Sequence, residues 1–243
     1  MAQISPKPHL TVLETSENKA LSDIVRTAFE DAFAGRGEMD SRVYDVDGFC
    51  GRKHRLFFNN LVRSVENPRY LEIGIFRGAT MCAAVAGNKV KCCGIDNWTE
   101  YGGKSSEFYV NLANIKGSQS TVSILEQDFR TVDYHHIGKF NLFFYDGPHQ
   151  EQDQFDGVKM ALPALDKQAV LLVDDWNWIR VRRATMNALR AANARLDFAI
   201  EVRTSLDDNL PDVRIAKATG TTAYSLASSP NNRLKGRGIR VQR

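Results

Sequence analysis

From Tyr70 onward, short apolar runs alternate with helical patterns, and this rhythm limits the possible folds more than any other feature. The runs are YLEIGI (70–75), VKCCGI (90–95), TVSILEQ (121–127), FNLFFY (140–145) and AVLLVD (169–174). Helical spacing occupies 79–86, 105–115, 153–163 and 179–194. A run that is apolar on both faces suits a strand covered by helices on both sides. The alternation predicts an α/β fold, a doubly wound and mostly parallel sheet.

The flanks read differently. Leu21, Ile24, Val25, Ala28, Phe29 and Phe33 recur at helical spacing until Gly35 and Gly37. Asp47-Gly48 and Gly51 mark a turn, a second helix is expected over 53–65, and Pro68 stops it. Residues 1–69 are expected to form an N-terminal helical cap on the substrate side. The main domain is expected over 70–228, and its end, 197–227, reads as strands with a turn at Ala218-Thr219-Gly220. Residues 229–243 read as a loose basic tail, with Arg233, Lys235, Arg237, Arg240 and Arg243.

Composition narrows the classes. A length of 243 residues fits one large domain or a domain with an appendage. No apolar run reaches the roughly 18–20 residues of a membrane helix, so no membrane partner is expected. The start, MAQISPKPHL, lacks the apolar centre of a secretory signal. Cys50, Cys82, Cys92 and Cys93 form no CxxC pair and read as free thiols of a reducing cytoplasm. The net charge of +3, from 32 basic and 29 acidic residues, gives no argument for nucleic acid. A homo-oligomer stays open.

In such sheets ligands bind at the carboxyl ends of the strands. The first run leads into Glu72, Gly74 and Gly78, spaced E-x-G-x-x-x-G, which differs from the G-x-G-x-x-G of dinucleotide binders. Glycines there either let a ligand lie against backbone or simply turn the chain. Asp96 ends the second run about 20 residues on, where an acid accepts hydrogen bonds from ribose hydroxyls. Together these imply a nucleoside-containing cofactor. Asp128 either accepts from an adenine amino group, with Phe129 against the ring, or caps a turn. Asp146, in YDGPHQ, and Asp174 and Asp175, in VDDWN, are expected to meet at one edge of the sheet. Converging carboxylates repel unless neutralised, and an all-oxygen set suits a hard cation such as Mg²⁺. His149 lies three residues beyond Asp146, a candidate general base for a hydroxyl.

In this order, LEIGIFRG, GIDNW, YDGPHQ and VDDWN resemble the class I S-adenosylmethionine-dependent methyltransferases, which have a Rossmann-like sheet. They are most similar to the metal-dependent O-methyltransferases acting on catechols, caffeoyl-coenzyme A and macrolide sugars. The resemblance covers 70 to about 195. It implies that Glu72, Gly74 and Gly78 line the methionine and sugar end of S-adenosylmethionine. It implies Asp96 on the ribose, Asp128 and Phe129 near the adenine, and Asp146, Asp174 and Asp175 on a divalent metal, magnesium by preference. His149 matches the base of the sugar-type enzymes, with Asp146 also catalytic. The expected acceptor is a small hydroxylated molecule, a sugar or polyphenol. Residues 1–69 match no motif of that family, so the resemblance does not transfer a substrate. A nucleic-acid or protein methyltransferase, or a non-catalytic nucleoside-binding protein of the same fold, are the alternatives.

Other features read as ordinary surface. Arg180, Arg182, Arg183, Arg190 and Arg195 mark a basic helix that either meets an anionic acceptor or is simply solvated. Trp98 and Tyr101 either cover the cofactor or acceptor, or pack. His135-His136 lacks a third ligand nearby.

Overall fold

A computed structural model describes residues 9–14, 19–203 and 225–228. The expected runs all become strands: β2 (Arg69–Ile73), β3 (Lys91–Ile95), β4 (Thr121–Leu125), β5 (Phe140–Tyr145) and β6 (Leu165–Val173). They follow β1 (His9–Glu14), α1 (Lys19–Phe33) and α2 (Arg52–Ser64). Between and after them run α3 (Ala79–Val85), α4 (Ser105–Ile115), α5 (Glu151–Ala161) and α6 (Ile179–Ala191), then β7 (Phe198–Arg203) and β8 (Ser225–Ser228). The five expected strands are parallel, ordered β4-β3-β2-β5-β6, and β8 adds antiparallel to β6. The α/β, doubly wound expectation holds. The expected turn at 218–220 and the basic tail lie outside the described residues.

Alternation along each strand sorts side chains to two cores. Tyr70, Leu142, Phe144, Val170 and Leu172 join α2, α3 and α4 on one face. Leu71, Ile73, Phe143, Tyr145, Leu171 and Val173 join α5 and α6 on the other. This is the period-two geometry of strands buried on both faces. All four cysteines are free, and Cys82, Cys92 and Cys93 are buried. Among the described residues no helix is long and apolar enough to cross a membrane.

The N-terminal helices share this core. Residues His54 to Val62 of α2 are buried without a break. Three of its polar members, Arg55, Asn59 and Asn60, donate to neighbouring backbone, as buried polar groups tend to. Asn59, fully buried, donates to the carbonyls of Ala83 (2.9 Å) and Ala86 (2.7 Å) at the end of α3. Arg55 donates to the carbonyls of Val43 and Val46, both at 2.6 Å, and of Cys50 at 3.2 Å. Arg55 thereby fixes the 43–50 loop against the carboxyl edge of the sheet. Further out, β1 pairs antiparallel with β7, running from His9 opposite Arg203 to Glu14 opposite Phe198.

The Asn59 bonds close the end of a short helix that has no polar side chain of its own there. Asn59→Ala is expected to lower stability by about 1–3 kcal/mol, the cost of leaving buried carbonyls unmade. Urea unfolding reads this directly, and an unchanged midpoint would contradict it.

Candidate active site

The site follows from strand register. Ile73 lies opposite both Ile95 and Tyr145, Ile95 opposite Leu125, and Tyr145 opposite Val173. One row of residues thus crosses the sheet, and the next residue on each strand forms a second row: Gly74, Asp96, Glu126, Asp146 and Asp174. The ladder continues into it, with Gly74 N–H on the Ile95 carbonyl, Asp96 on Leu125, Asp146 on Ile73 and Asp174 on Tyr145. Parallel strands lie about 4.8 Å apart, so four acids stand in line at the carboxyl edge.

At the left of this row Asp96 is tied to backbone. Its Oδ2 accepts from the N–H groups of Ile75 (2.7 Å) and Phe76 (2.9 Å), and its Oδ1 from Trp98 (2.7 Å). Trp98 Nε1–H in turn donates to the Phe76 carbonyl at 2.7 Å. Phe76, Trp98, Tyr101 and Asp175 all hold φ near +50° without being glycine. Such backbone costs on the order of 1–3 kcal/mol per residue and clusters at functional sites. Asp96, half-exposed, still has lone pairs to offer a ribose diol.

The other expected cofactor positions have structural duties. Glu72 is fully buried, its carboxylate accepting from Tyr70 Oη–H (2.8 Å) and from the Thr80 hydroxyl. Burial pushes its carboxyl up to about 8. Gly74 holds φ +90°, and a Cβ on it would overlap the Asp146 carbonyl. Gly78 holds φ +83°, and its missing Cβ makes room for the Phe108 ring. Asp128 caps the turn Phe129–Thr131, accepting from Arg130 N–H at 2.8 Å, and pairs with the Arg130 guanidinium. Phe129 is buried edge-on against Tyr145, 6.2 Å away. The acid in the row after β4 is Glu126, whose carboxylate accepts from Tyr109 Oη–H at 2.5 Å. The strand ends at Leu125, two residues before the expected end, which moves the row from Asp128 to Glu126.

At the right, His149 stands between two carboxylates. Its Nε2 lies 3.5 Å from Asp146 Oδ1 and 3.5 Å from Asp175 Oδ2. Its Nδ1 meets Gln154 Oε1 at 3.0 Å, and Gln154 Nε2 donates to Thr185 Oγ1 at 3.0 Å. With Gln154 accepting, Nδ1 carries the proton and the Nε2 lone pair of the neutral ring faces the carboxylates. The loop between Asp146 and α5 is held by Tyr145 Oη–H on the carbonyls of Pro148 (2.9 Å) and Asp153 (3.1 Å). Trp178 stands edge-on to the imidazole at 6.0 Å. Gln154, in the first turn of α5, gives no sequence signal for its role.

The expected three-aspartate metal centre is not preformed. Among the described residues no group of three His, Cys, Asp or Glu side chains is placed to hold a metal ion. The imidazole lies where Asp146 and Asp175 converge, and Asp174 is buried.

Electrostatics follows from this packing. Burial of His149 favours its neutral form, but Asp146 and Asp175 outweigh that and raise its pKa. Asp175 is raised by its own burial and by Asp146, against the opposing charges of His149 and Arg180. From residues 1–69, Phe49 stacks on Phe76 (5.2 Å, 13°) and Tyr101 closes on both rings. The charges of Asp146 and Asp175 reach the Tyr101 hydroxyl, and those of Asp146 and Asp174 reach the Cys50 thiol. The aromatic trio therefore borders the carboxylate cluster.

Residues 71–176 match the family model described as a methyltransferase domain. No curated protein matches the sequence. Among solved structures, cofactor-bound Rv0187 from MTB is 18% identical over 90% of this chain and 93% of its own, with a TM-score of 0.52. The ribosomal protein L11 methylase from Lactobacillus delbrueckii subsp. bulgaricus is 14% identical over 74% and 80%, with a TM-score of 0.50. TrmN from Thermus thermophilus is 13% identical over 72% of this chain, with a TM-score of 0.50, and the match spans 48% of that protein's length. These likenesses establish the fold.

His149 offers a direct check. Its raised pKa means the charged ring contributes stability that is full below the unfolded value. That contribution is lost as pH rises through the folded value. In chelator-treated protein, the NMR titration of His149 is expected above the ordinary imidazole midpoint, and Asp175→Asn is expected to lower it. A midpoint unmoved by Asp175→Asn would contradict the arrangement.

Proposed function

We propose that this chain is a class I S-adenosylmethionine-dependent methyltransferase that methylates a hydroxyl oxygen of a small acceptor, with His149 as general base. One observation carries this reading. An imidazole held by Gln154, with its Nε2 beside Asp146 and Asp175, stands at the same sheet edge as Asp96, the residue best placed for a ribose.

When bound, S-adenosylmethionine supplies a methyl group already activated on a sulfonium, so the protein has only to orient an oxygen and take its proton. Asp96, preorganised by three backbone N–H groups, would accept the ribose hydroxyls. Gly74 keeps the ends of β2 and β5 in contact, which sets the distance between the Asp96 side and the His149 side. His149 Nε2 receives the acceptor proton. Asp146 and Asp175 stabilise the imidazolium that forms, and Gln154 keeps Nδ1–H as the donor, a division of labour common to histidine bases.

A divalent cation is a further part of the proposal. Its support is the donor chemistry alone: Asp146, Asp174 and Asp175 are hard oxygen ligands, and their mutual repulsion would be relieved by a cation. These three residues would hold it. Such an ion lowers the pKa of a bound hydroxyl and positions it.

Residues 1–69 are assigned to the acceptor side through Phe49 and Cys50, 70–228 to the catalytic domain, and the whole chain to a reducing cytoplasm on its free thiols. The basic tail gives no argument for nucleic acid in this reading.

Two measurements test it. Asp96→Ala is expected to weaken S-adenosylhomocysteine binding by about 10–100-fold, the range for hydrogen bonds to a charged group. Calorimetry reads this, and unchanged affinity would remove Asp96 from the site. His149→Ala is expected to slow methyl transfer about 10²–10⁴-fold with S-adenosylhomocysteine affinity retained. A wild-type rate at neutral pH would remove His149 as the base. The same assay in EDTA separates the cation from the base: full activity there leaves His149 standing and discards the metal.

A further inference from the structure

Four of the five arginines between residues 180 and 195 are committed. Arg182 donates to the carbonyls of Trp176 (2.7 Å) and Asn177 (2.6 Å). Arg183 pairs with Glu151, its Nε–H on Oε1 at 2.7 Å. Arg190 donates to Asn187 at 3.1 Å, and Arg195 pairs with Asp197 at 2.6 Å. Arg180 differs. Among the described residues it has no hydrogen-bond or ion-pair partner, and its Nε is buried without one. Buried donors of this kind are costly to leave unmade, and an arginine fork is built to take a planar oxyanion.

Arg180 is also held in place. Its guanidinium lies 4.2 Å over the Trp178 ring, and that ring stands edge-on to His149 at 6.0 Å. The three side chains thus form a continuous wall from the base to the cation. Stacking of this kind orders the guanidinium while leaving its N–H edge free. Its charge reaches Asp175, which places it within the field of the same cluster without an ion pair to it.

We infer that Arg180, stacked on Trp178 beside His149, binds an oxyanion group of the acceptor, so that the acceptor is an anionic hydroxylated molecule. This rests on the O-methyltransferase reading and narrows its substrate class. A neutral sugar or phenol would leave the guanidinium unpaired. A carboxylate or phosphate on the acceptor would pair with it and bring the neighbouring hydroxyl toward Nε2.

The test is calorimetric and needs no turnover. Full-length protein saturated with S-adenosylhomocysteine is titrated with 3,4-dihydroxybenzoate and with its neutral amide, and inorganic phosphate is added as competitor. The proteins are wild type, Arg180→Gln and, as a control for charge alone, Arg183→Gln. The expected result is that wild type binds the acid about 10–100-fold tighter than the amide. Arg180→Gln is expected to bring the acid to the amide's level, and Arg183→Gln to keep the preference. Displacement of the acid by phosphate identifies a phosphate-type group as the better fit, and its absence identifies the carboxylate. Equal binding of acid and amide to wild type would overturn the inference, as would an unchanged preference in Arg180→Gln. An equal loss in Arg183→Gln would overturn it too, because a diffuse positive field would then suffice. Failure of wild type to bind S-adenosylhomocysteine would instead strike the methyltransferase reading, so the two failures are distinct.

Discussion

Parallel register is the constraint on which everything else depends. Ile73, Ile95, Leu125, Tyr145 and Val173 lie in one row, so the residues after them must lie in the next. No side-chain contact needs to gather Asp96, Asp146 and Asp174. The backbone ladder does so, and the loops need only aim what it delivers. This also explains Gly74: it sits in the row between Asp96 and Asp146, where a Cβ would overlap the Asp146 carbonyl. Substitution there would push apart the two halves of the site.

The second determinant is the charge balance around His149. Two carboxylates 3.5 Å from one nitrogen favour a positive charge between them, while burial disfavours it. The balance leaves an imidazole whose pKa is raised. Gln154 and Thr185 link this ring to α5 and α6, so the imidazole is set by helix packing rather than by a free loop. Arg180 adds a charge of the opposite sign at the far side of Trp178, and its field opposes the burial that raises Asp175.

Much of this was legible in the sequence because period and position are local properties. The five apolar runs became five parallel strands, and the acids after them fell at one edge. The strand FNLFFY and the helix 105–115 have the bounds that their residues suggest. What could not be read depends on distant contacts. The adenine-side expectation fell on Asp128 because the β4 run reads apolar through Gln127, whereas the strand stops at Leu125. Asp128 caps the turn Phe129–Thr131. The inward contacts of Glu72 with Tyr70 and Thr80 are likewise set by strand alternation and packing, which no local motif shows. The partner of His149, Gln154, lies in an unremarkable polar stretch, and only the fold brings Thr185 to it. A three-aspartate cation site was the natural reading of YDGPHQ and VDDWN, yet His149 takes the space between two of those carboxylates.

The N-terminal region completes the site's wall. Arg55 pins the 43–50 loop, so Phe49 can stack on Phe76 and meet Tyr101 at the edge of the carboxylate cluster. The most direct test of the whole arrangement is a crystal structure with S-adenosylhomocysteine. The ribose hydroxyls are expected within hydrogen-bond distance of Asp96, with the sulfur on the His149 side of the same sheet edge. A ligand bound away from Asp96, or a sulfur walled off from His149 by Phe76 and Tyr101, would contradict the account.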